Sequence, residues 1–249
     1  MRMLLVSSRV EILRLKRSGL FAGLLAVFAF FGLSGPGLAL YMPEILGAAA
    51  ASDQLTIQAT AARPEDGIAL FNQSAMQLGL ILAVAVAITS LGWDTRAGSS
   101  IFYRTRVKQL SALTLPRLMV GWGTVIITYT VGFVLAVAMT VLFIGEVTMS
   151  VTASVWASSI VYLVMAMSIG YLIMAATRRT SAAIASATVL MLVLPMLSQF
   201  EALSSWVPTT LLAGAETTVM PFLSAVAVTV LCVATASLIA SKQVLRRDA

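Results

Sequence analysis

The chain has 249 residues, of which 59% are hydrophobic and only 10% are charged, with a formal net charge of +6. This composition is too apolar for a soluble domain and is typical of an integral membrane protein. The absence of histidine and the single cysteine, Cys232, exclude histidine-dependent zinc and haem sites, Ser-His or Cys-His catalytic pairs and an internal disulfide. No G-x-x-x-x-G-K-[ST] or G-x-S-x-G run occurs, so we expect no Walker A nucleotide site, no metal site and no enzymatic activity in this chain.

Residues 1–17 mix basic and apolar side chains. Met3, Val6, Val10 and Leu13 form an apolar stripe at helical spacing. This pattern fits a helix that lies in the membrane interface with its basic residues near lipid headgroups. A cytoplasmic extension of the first span is the alternative.

Six long apolar stretches follow, and each is long enough to cross a bilayer as a helix. We predict an all-α integral membrane protein of one domain, residues 1–249, with spans at about 18–42, 73–92, 118–144, 151–176, 182–200 and 222–241. Gly35 and Pro36 predict a kink or break near the outer end of the first span. Residues 43–72 then form an outside loop, and residues 201–221 form a short outer or re-entrant helix.

The charged residues alternate with these spans. All sixteen Lys and Arg residues except Arg63 fall in the first, third, fifth and seventh polar pieces, whereas seven of the ten acidic residues fall in the other pieces. Since cytoplasmic loops collect Lys and Arg, we expect both termini inside the cell and a multi-pass protein of the inner (plasma) membrane. The basic balance then reflects contact with anionic membrane lipid and not with nucleic acid.

Small residues recur four positions apart in the first and fifth spans. The pairs are Gly19 with Gly23 and Ala183 with Ala187. Such spacing lets two helix backbones approach closely in lipid, either between two chains or within one bundle.

Hydroxyl and thioether side chains form two further patterns. Thr124 and Thr128 share one face of the third span, where they either line a polar path or hydrogen-bond to helix carbonyls. The methionines, among them Met165, Met167 and Met191, either fill the core or offer an adaptable surface to varied apolar ligands.

The longest inside segment, residues 94–117, reads DTRAGSSIFYRTRVKQLSALTLPR. Its basic residues keep it at the inner surface, and either Ser99 or Ser100 is placed to cap a short helix after Gly98. That helix would present Ile101, Phe102 and Tyr103 among charges, either to a groove of a partner protein or to the lipid interface.

The order of elements over nearly the whole chain resembles the permease subunit of type-two ATP-binding-cassette transporters. A local match lies in the inside segment: Asp94-Thr95-Arg96-Ala97-Gly98-Ser99, followed by Tyr103-Arg104-Thr105-Arg106-Val107. It is similar to the family's run of an acidic residue, Gly-Thr, and then T-R-P-V. This chain departs from that run in having Ser99 for threonine and no proline after Arg106.

The resemblance implies an N-terminal interfacial helix, six spans with both ends inside, and a cytoplasmic coupling helix between spans two and three. The coupling residues would be Asp94, Arg96, Gly98, Ser99, Ile101, Phe102, Tyr103 and Arg104. The family's dimer contact uses spans one and five, which carry the small-residue pairs.

The function that the resemblance implies is ATP-driven export of an amphipathic substrate such as a drug, a peptide or a lipid-like molecule. The partners would be a second permease chain, identical or related, and a separate ATPase subunit. No cofactor is expected in this chain, because ATP and Mg²⁺ would bind to the ATPase. A self-contained secondary carrier or channel and a non-transport membrane assembly or immunity protein are the alternatives.

Overall fold

The computed structural model describes residues 2–52, 62–91, 111–199, 206–213 and 219–245, and these residues contain helices and turns but no strand. The helices are α1 Arg2–Arg17, α2 Leu20–Ser52, α3 Pro64–Ser74, a π-helix Ala75–Gly79, α4 Leu80–Leu91, α5 Ser111–Phe143, α6 Met149–Thr177, α7 Thr180–Val193 and α8 Val219–Leu245, with 3₁₀ segments at Leu194–Gln199 and Pro208–Ala213. The coupling residues predicted between 94 and 104 lie outside the described residues.

Among the described residues, five helices are long and apolar enough to cross a membrane. They are Leu20–Ile45, Pro64–Thr89, Thr114–Phe143, Met149–Thr177 and Val219–Ile239. The fifth predicted span corresponds to a shorter apolar helix, Thr180–Met196, whose last turns are 3₁₀ around Pro195. The chain is therefore an all-helical protein of the membrane type, and the third, fourth and last spans agree with the predicted bounds to within a few residues.

The predicted break in the first span is not observed. Helix α2 runs from Leu20 to Ser52 without interruption, through both Pro36 and Pro43. Proline is tolerated inside membrane helices because neighbouring helices and local adjustments satisfy the freed backbone groups. Of the predicted kink or break near Pro36, the break is therefore wrong, because proline interrupts a helix less readily where neighbouring helices compensate.

The second membrane helix begins at Pro64, nine residues before the predicted start, so much of the predicted 43–72 loop is helical. Pro at the first position of a helix fits, because the missing N–H has no partner there in any case. The backbone N–H of Arg63 donates to Asp66 Oδ2 at 2.9 Å, which satisfies a further group at this helix end. From Pro64 the chain stays helical through the π-helix to Leu91.

Close backbone contact fixes the crossing of α2 and α5. A Cβ atom on Gly132 would lie 2.5 Å from the carbonyl oxygen of Phe28, and a Cβ on Gly32 would collide with the carbonyl of Gly132. Only glycine allows two helix backbones to approach this closely. The crossing places the fully buried ring of Phe28 beside Tyr129, with the ring centroids 5.8 Å apart in an edge-to-face arrangement.

The two ends of the bundle differ in charge. At one end the start of α3 lies beside the turn between α5 and α6, since Pro64 is 3.5 Å from the position of a Cβ on Gly145. We call this the acidic end, because its carboxylates, Glu65, Asp66 and Glu146, outnumber Arg63 among the described residues there. The opposite, basic end carries Arg14, Arg17, Arg117 and Arg178.

Helix α1 packs on α5 at the basic end through its polar face. Glu11 is 1% exposed, and its carboxylate pairs with Arg14 at 2.9 Å and with Arg117 of α5 at 3.8 Å. Arg14 also donates to the carbonyl oxygen of Thr89 at 3.1 Å. Helix α1 is thereby linked both to the end of α4 and to the beginning of α5, the two helices that residues 92–110 connect.

The apolar stripe predicted on the first helix is present, and it faces away from the bundle. Val6, Val10 and Leu13 are all exposed, whereas Ser7 and Glu11 are buried. Gly19, with φ +70°, makes the turn into α2, and this left-handed conformation favours glycine.

Candidate functional site

The two predicted small-residue pairs lie in different surroundings. Gly19 and Gly23 are exposed, and a Cβ atom on either would have no neighbour within 4 Å. Ala183 and Ala187 are completely buried, and α7 packs on α4 and α6 of the same chain. The open face of α2 is thus free for a second helix, whereas the two alanines already serve packing within the bundle.

The threonines of the third span do not line a polar path. The hydroxyl of Thr124 donates to the carbonyl of Val120 at 2.9 Å, and that of Thr128 donates to the carbonyl of Thr124 at 2.9 Å. Met165 and Met167 are buried in the core. Of the methionines singled out above, Met191 differs, because it also lines a cavity.

That cavity, the Asn72 groove, lies between the second membrane helix, α6 and α7 and has a volume of about 510 Å³. This volume falls in the range of about 300–1,000 Å³ in which proteins hold small molecules. The second membrane helix supplies the lining from Glu65 to Ile81, a distance of roughly 24 Å at 1.5 Å per residue. The groove therefore extends from the acidic end deep into the apolar thickness of the bundle.

Its lining is mainly apolar, with polar groups at intervals. The apolar part includes Ile68, Met76, Leu80, Val151, Val155 and Met191, and the polar part consists of Glu65, Asn72, Gln73, Gln77, Thr148, Thr152, Tyr162 and Thr188. An apolar cavity with a few convergent polar groups is the usual composition of a small-molecule site.

Asn72 is held rigidly at the floor of this groove. It is 6% exposed, and its Oδ1 accepts hydrogen bonds from the hydroxyls of Tyr129 at 3.1 Å and Ser159 at 2.9 Å. These bonds join the second membrane helix to α5 and to α6. Neither N–H group of Asn72 Nδ2 has a hydrogen-bond partner among the described residues.

Tyr162 presents a second polar group at the floor. Its side chain is 2% exposed and lines the groove, yet its hydroxyl has no hydrogen-bond partner within the described part of the chain. Thr188 Oγ1 is likewise enclosed without such a partner among these residues. Buried polar groups are almost always paired, so unpaired ones that line a cavity indicate a place for a ligand or water.

A π-helix begins three residues after Asn72. Ala75–Gly79 forms one widened turn between α3 and α4, and Met76 and Gln77 within it line the groove. Gly79 lets the ring of Phe28 lie against this turn, since a Cβ there would be 2.6 Å from the Phe28 ring. Single π-turns inside membrane and soluble helices are frequent at functional sites, because the extra residue redirects the side chains that follow.

We call the part of the groove beside Glu65, at the acidic end, its mouth, and the electrostatic potential there is negative. Glu65 is the charged residue of the described lining, and Asp66 and Glu146 lie near it at the acidic end. At the basic end, burial raises the pKa of the Glu11 carboxyl above its usual range, although Arg14 and Arg117 counteract this. The two charged regions lie at opposite ends of the bundle, so the groove mouth is influenced mainly by the residues of the acidic end, where Arg63 offsets one of the three carboxylates.

Sequence reasoning did not find this site. The predicted bounds place Asn72 at the end of the 43–72 loop and Gln73 and Gln77 in the first turns of the second span. The signal was present, however, since three amide side chains fall within six positions of an otherwise apolar run, and Gln73 and Gln77 share a helical face. Amide side chains inside a membrane helix need hydrogen-bond partners there, so three of them close together indicate a candidate polar site.

Fold and site together define an α-helical protein of the membrane type with a polar-floored cavity that extends inward from its acidic end. Comparison of the chain with protein-family models, with curated proteins and with solved structures finds no match. The functional assignment therefore depends on the chain's own charge pattern, packing and cavity.

Proposed function

We propose that this protein is the membrane-spanning subunit of an ATP-driven exporter, which moves an amphipathic substrate across the inner membrane. The observation that carries the proposal is the Asn72 groove: a cavity of about 510 Å³ with both apolar and hydrogen-bonding walls, inside a bundle built for the membrane. A protein that served only as an anchor has no need of unpaired polar groups at that depth.

The charge pattern supports the orientation. In the proposed topology the short helix Thr180–Met196, extended by its 3₁₀ turns, is the fifth of six spans, and both termini are cytoplasmic. The basic end then faces the cytosol and the acidic end faces the exterior, in agreement with the bias of cytoplasmic loops towards Lys and Arg. Helix α1, with Val6, Val10 and Leu13 turned outward, would lie in the inner interface.

The energy source would be a separate ATPase that docks on residues 94–104. Ile101, Phe102 and Tyr103 would enter a groove of that subunit, which binds ATP and Mg²⁺, and a second permease chain would complete the transporter. The links from α1 to Thr89 and Arg117 support this role, because they tie both ends of the 92–110 connection to one rigid helix. Movement of the segment would then shift α4 and α5 together.

The proposal is tested by purifying the tagged chain from its native membrane and asking whether a Walker A ATPase accompanies it. Reconstituted with that ATPase, the double variant Phe102→Ala with Tyr103→Ala should lose substrate-stimulated ATP hydrolysis by tenfold or more. The matched control is Phe30→Ala with Phe143→Ala, because both rings are 64% exposed and lie on membrane helices outside that segment. The control should keep wild-type hydrolysis.

The alternatives give different results in the same experiment. Association with another membrane complex and no stimulated ATPase would indicate an assembly or immunity protein. Flux that depends on an ion gradient and proceeds without any ATPase would indicate a secondary carrier. Normal docking and hydrolysis by the Phe102/Tyr103 variant would show that the coupling segment is assigned wrongly.

A further inference from the structure

We infer that the Asn72 groove binds amphipathic organic cations that carry a hydrogen-bond acceptor, and that Asn72, Tyr162 and Glu65 determine this specificity. The inference deepens the proposed function by naming the substrate class. The test is ligand binding to the purified chain alone. Its result therefore does not depend on whether an ATPase partner exists.

The floor of the groove selects for a hydrogen-bond acceptor. Asn72 Oδ1 accepts hydrogen bonds from the hydroxyls of Tyr129 and Ser159, which leaves the two Nδ2 donors without a partner among the described residues. The Tyr162 hydroxyl also has a proton to donate into the cavity. A carbonyl, ester or ether oxygen of a ligand would satisfy donors that have no partner among the described residues, and such pairing discriminates strongly against analogues that lack the group.

The mouth selects for positive charge. Glu65 lies in the groove wall, Asp66 and Glu146 are nearby, and no Lys or Arg is among the described lining residues. Arg63 at the same end offsets part of this charge, but the carboxylates outnumber it, and an anion would find no cation among the described lining residues. Because Glu65 is exposed, its attraction for a cation is screened by salt and contributes less than the groups at the floor.

The apolar walls set the size and shape of the ligand. Met76, Leu80 and Met191 flank the floor, and methionine adapts readily to ligands of different outline. The volume of about 510 Å³ accommodates one molecule of drug size and not a folded peptide.

The experiment is a fluorescence anisotropy titration of the chain in nanodiscs of uncharged lipid, with empty nanodiscs as the blank. The probe is rhodamine 6G, a cation with an ester carbonyl, and the comparison probe is fluorescein, an anion built on the same xanthene core. We expect saturable binding of rhodamine 6G at least tenfold tighter than that of fluorescein. Glu65→Gln should weaken rhodamine 6G about two- to fivefold at low salt, and this loss should shrink as salt is added.

Tyr162→Phe gives the decisive comparison. The variant removes only a hydroxyl that has no partner among the described residues, so its melting temperature should equal that of the wild type while rhodamine 6G binds about three- to tenfold more weakly. Tyr171→Phe is the matched control: its hydroxyl is paired with Thr114 at 2.9 Å away from the groove, so it should lower stability and leave binding unchanged.

Three results would overturn the inference. One is the absence of saturable rhodamine 6G binding, which would leave the groove to lipid chains or water. Another is equal affinity for fluorescein. The third is a Tyr162→Phe variant that binds the dye as well as the wild type does, or no worse than Tyr171→Phe.

Discussion

The crossing of α2 and α5 provides the sharpest test of the packing, through the substitution Gly132→Ala. The added methyl would lie 2.5 Å from the Phe28 carbonyl oxygen, whereas ordinary contact begins at 3.4 Å, so α2 would have to retreat by about 0.9 Å. The atom that blocks the methyl is a backbone carbonyl oxygen, and unlike a side chain it cannot move away by adopting another rotamer. Overpacking of this kind costs roughly 1–3 kcal/mol.

Gly123→Ala is the matched control because it lies in the same helix, and a Cβ atom there would have no neighbour within 4 Å. Both substitutions share the gain in helix propensity, up to about 1 kcal/mol. The difference between the two variants therefore isolates the steric cost, and we expect Gly132→Ala to be less stable than Gly123→Ala by about 1–3 kcal/mol.

The assay is reversible unfolding of the purified protein in mixed detergent micelles, with the free energy of unfolding taken from the transition. Gly132→Ala should also weaken rhodamine 6G binding, because Phe28 touches the π-helix at Gly79 and a shift of α2 would disturb the groove wall. Equal unfolding free energies for the two variants would refute the close crossing and the support that it gives to the groove.

Two further predictions concern buried polar groups. Tyr129→Phe removes one of the two donors to Asn72 and should cost about 0.5–1.5 kcal/mol of unfolding free energy, whereas Tyr41→Phe, at a side chain 57% exposed, should cost nothing measurable. The pKa of Glu11 is raised in the folded state, so its contribution to stability is fully present below its ordinary value near 4.5 and is lost as the pH rises through the folded-state pKa. Between pH 4 and 8, the melting temperature of the wild type should fall relative to that of Glu11→Gln as the pH rises. A difference in melting temperature that does not change with pH would contradict this.

Much of the fold could be predicted from the sequence, because a helix that crosses the hydrocarbon core must be apolar along most of its length, and the hydropathy of the sequence shows such stretches. The apolar helices and the amphipathic α1 follow from composition and spacing alone. Hydropathy could not predict that α2 continues without a break past Pro36, or that α3 begins as early as Pro64. Both features depend on which helices pack against these positions.

The site was harder to predict because it exists only in three dimensions. Tyr129 and Ser159 are far from Asn72 in sequence, and nothing local indicates that their hydroxyls converge on one amide oxygen. Thr124 and Thr128 looked equally polar along the chain, yet their hydroxyls bond to their own helix. Whether a polar side chain in a span is satisfied locally or faces a cavity is decided by helix rotation, which hydropathy does not specify.

The most direct test of the account is the side of the membrane on which Tyr103 lies. A single-cysteine protein, made by replacing Cys232 with alanine and introducing Tyr103→Cys, is treated in intact cells with a membrane-impermeant maleimide. Glu146→Cys in the same background serves as the exterior control. We expect position 146 to react in intact cells and position 103 to react only after the membrane is permeabilised. Reaction of position 103 in intact cells would contradict the orientation, and with it the docking of an ATPase at that segment.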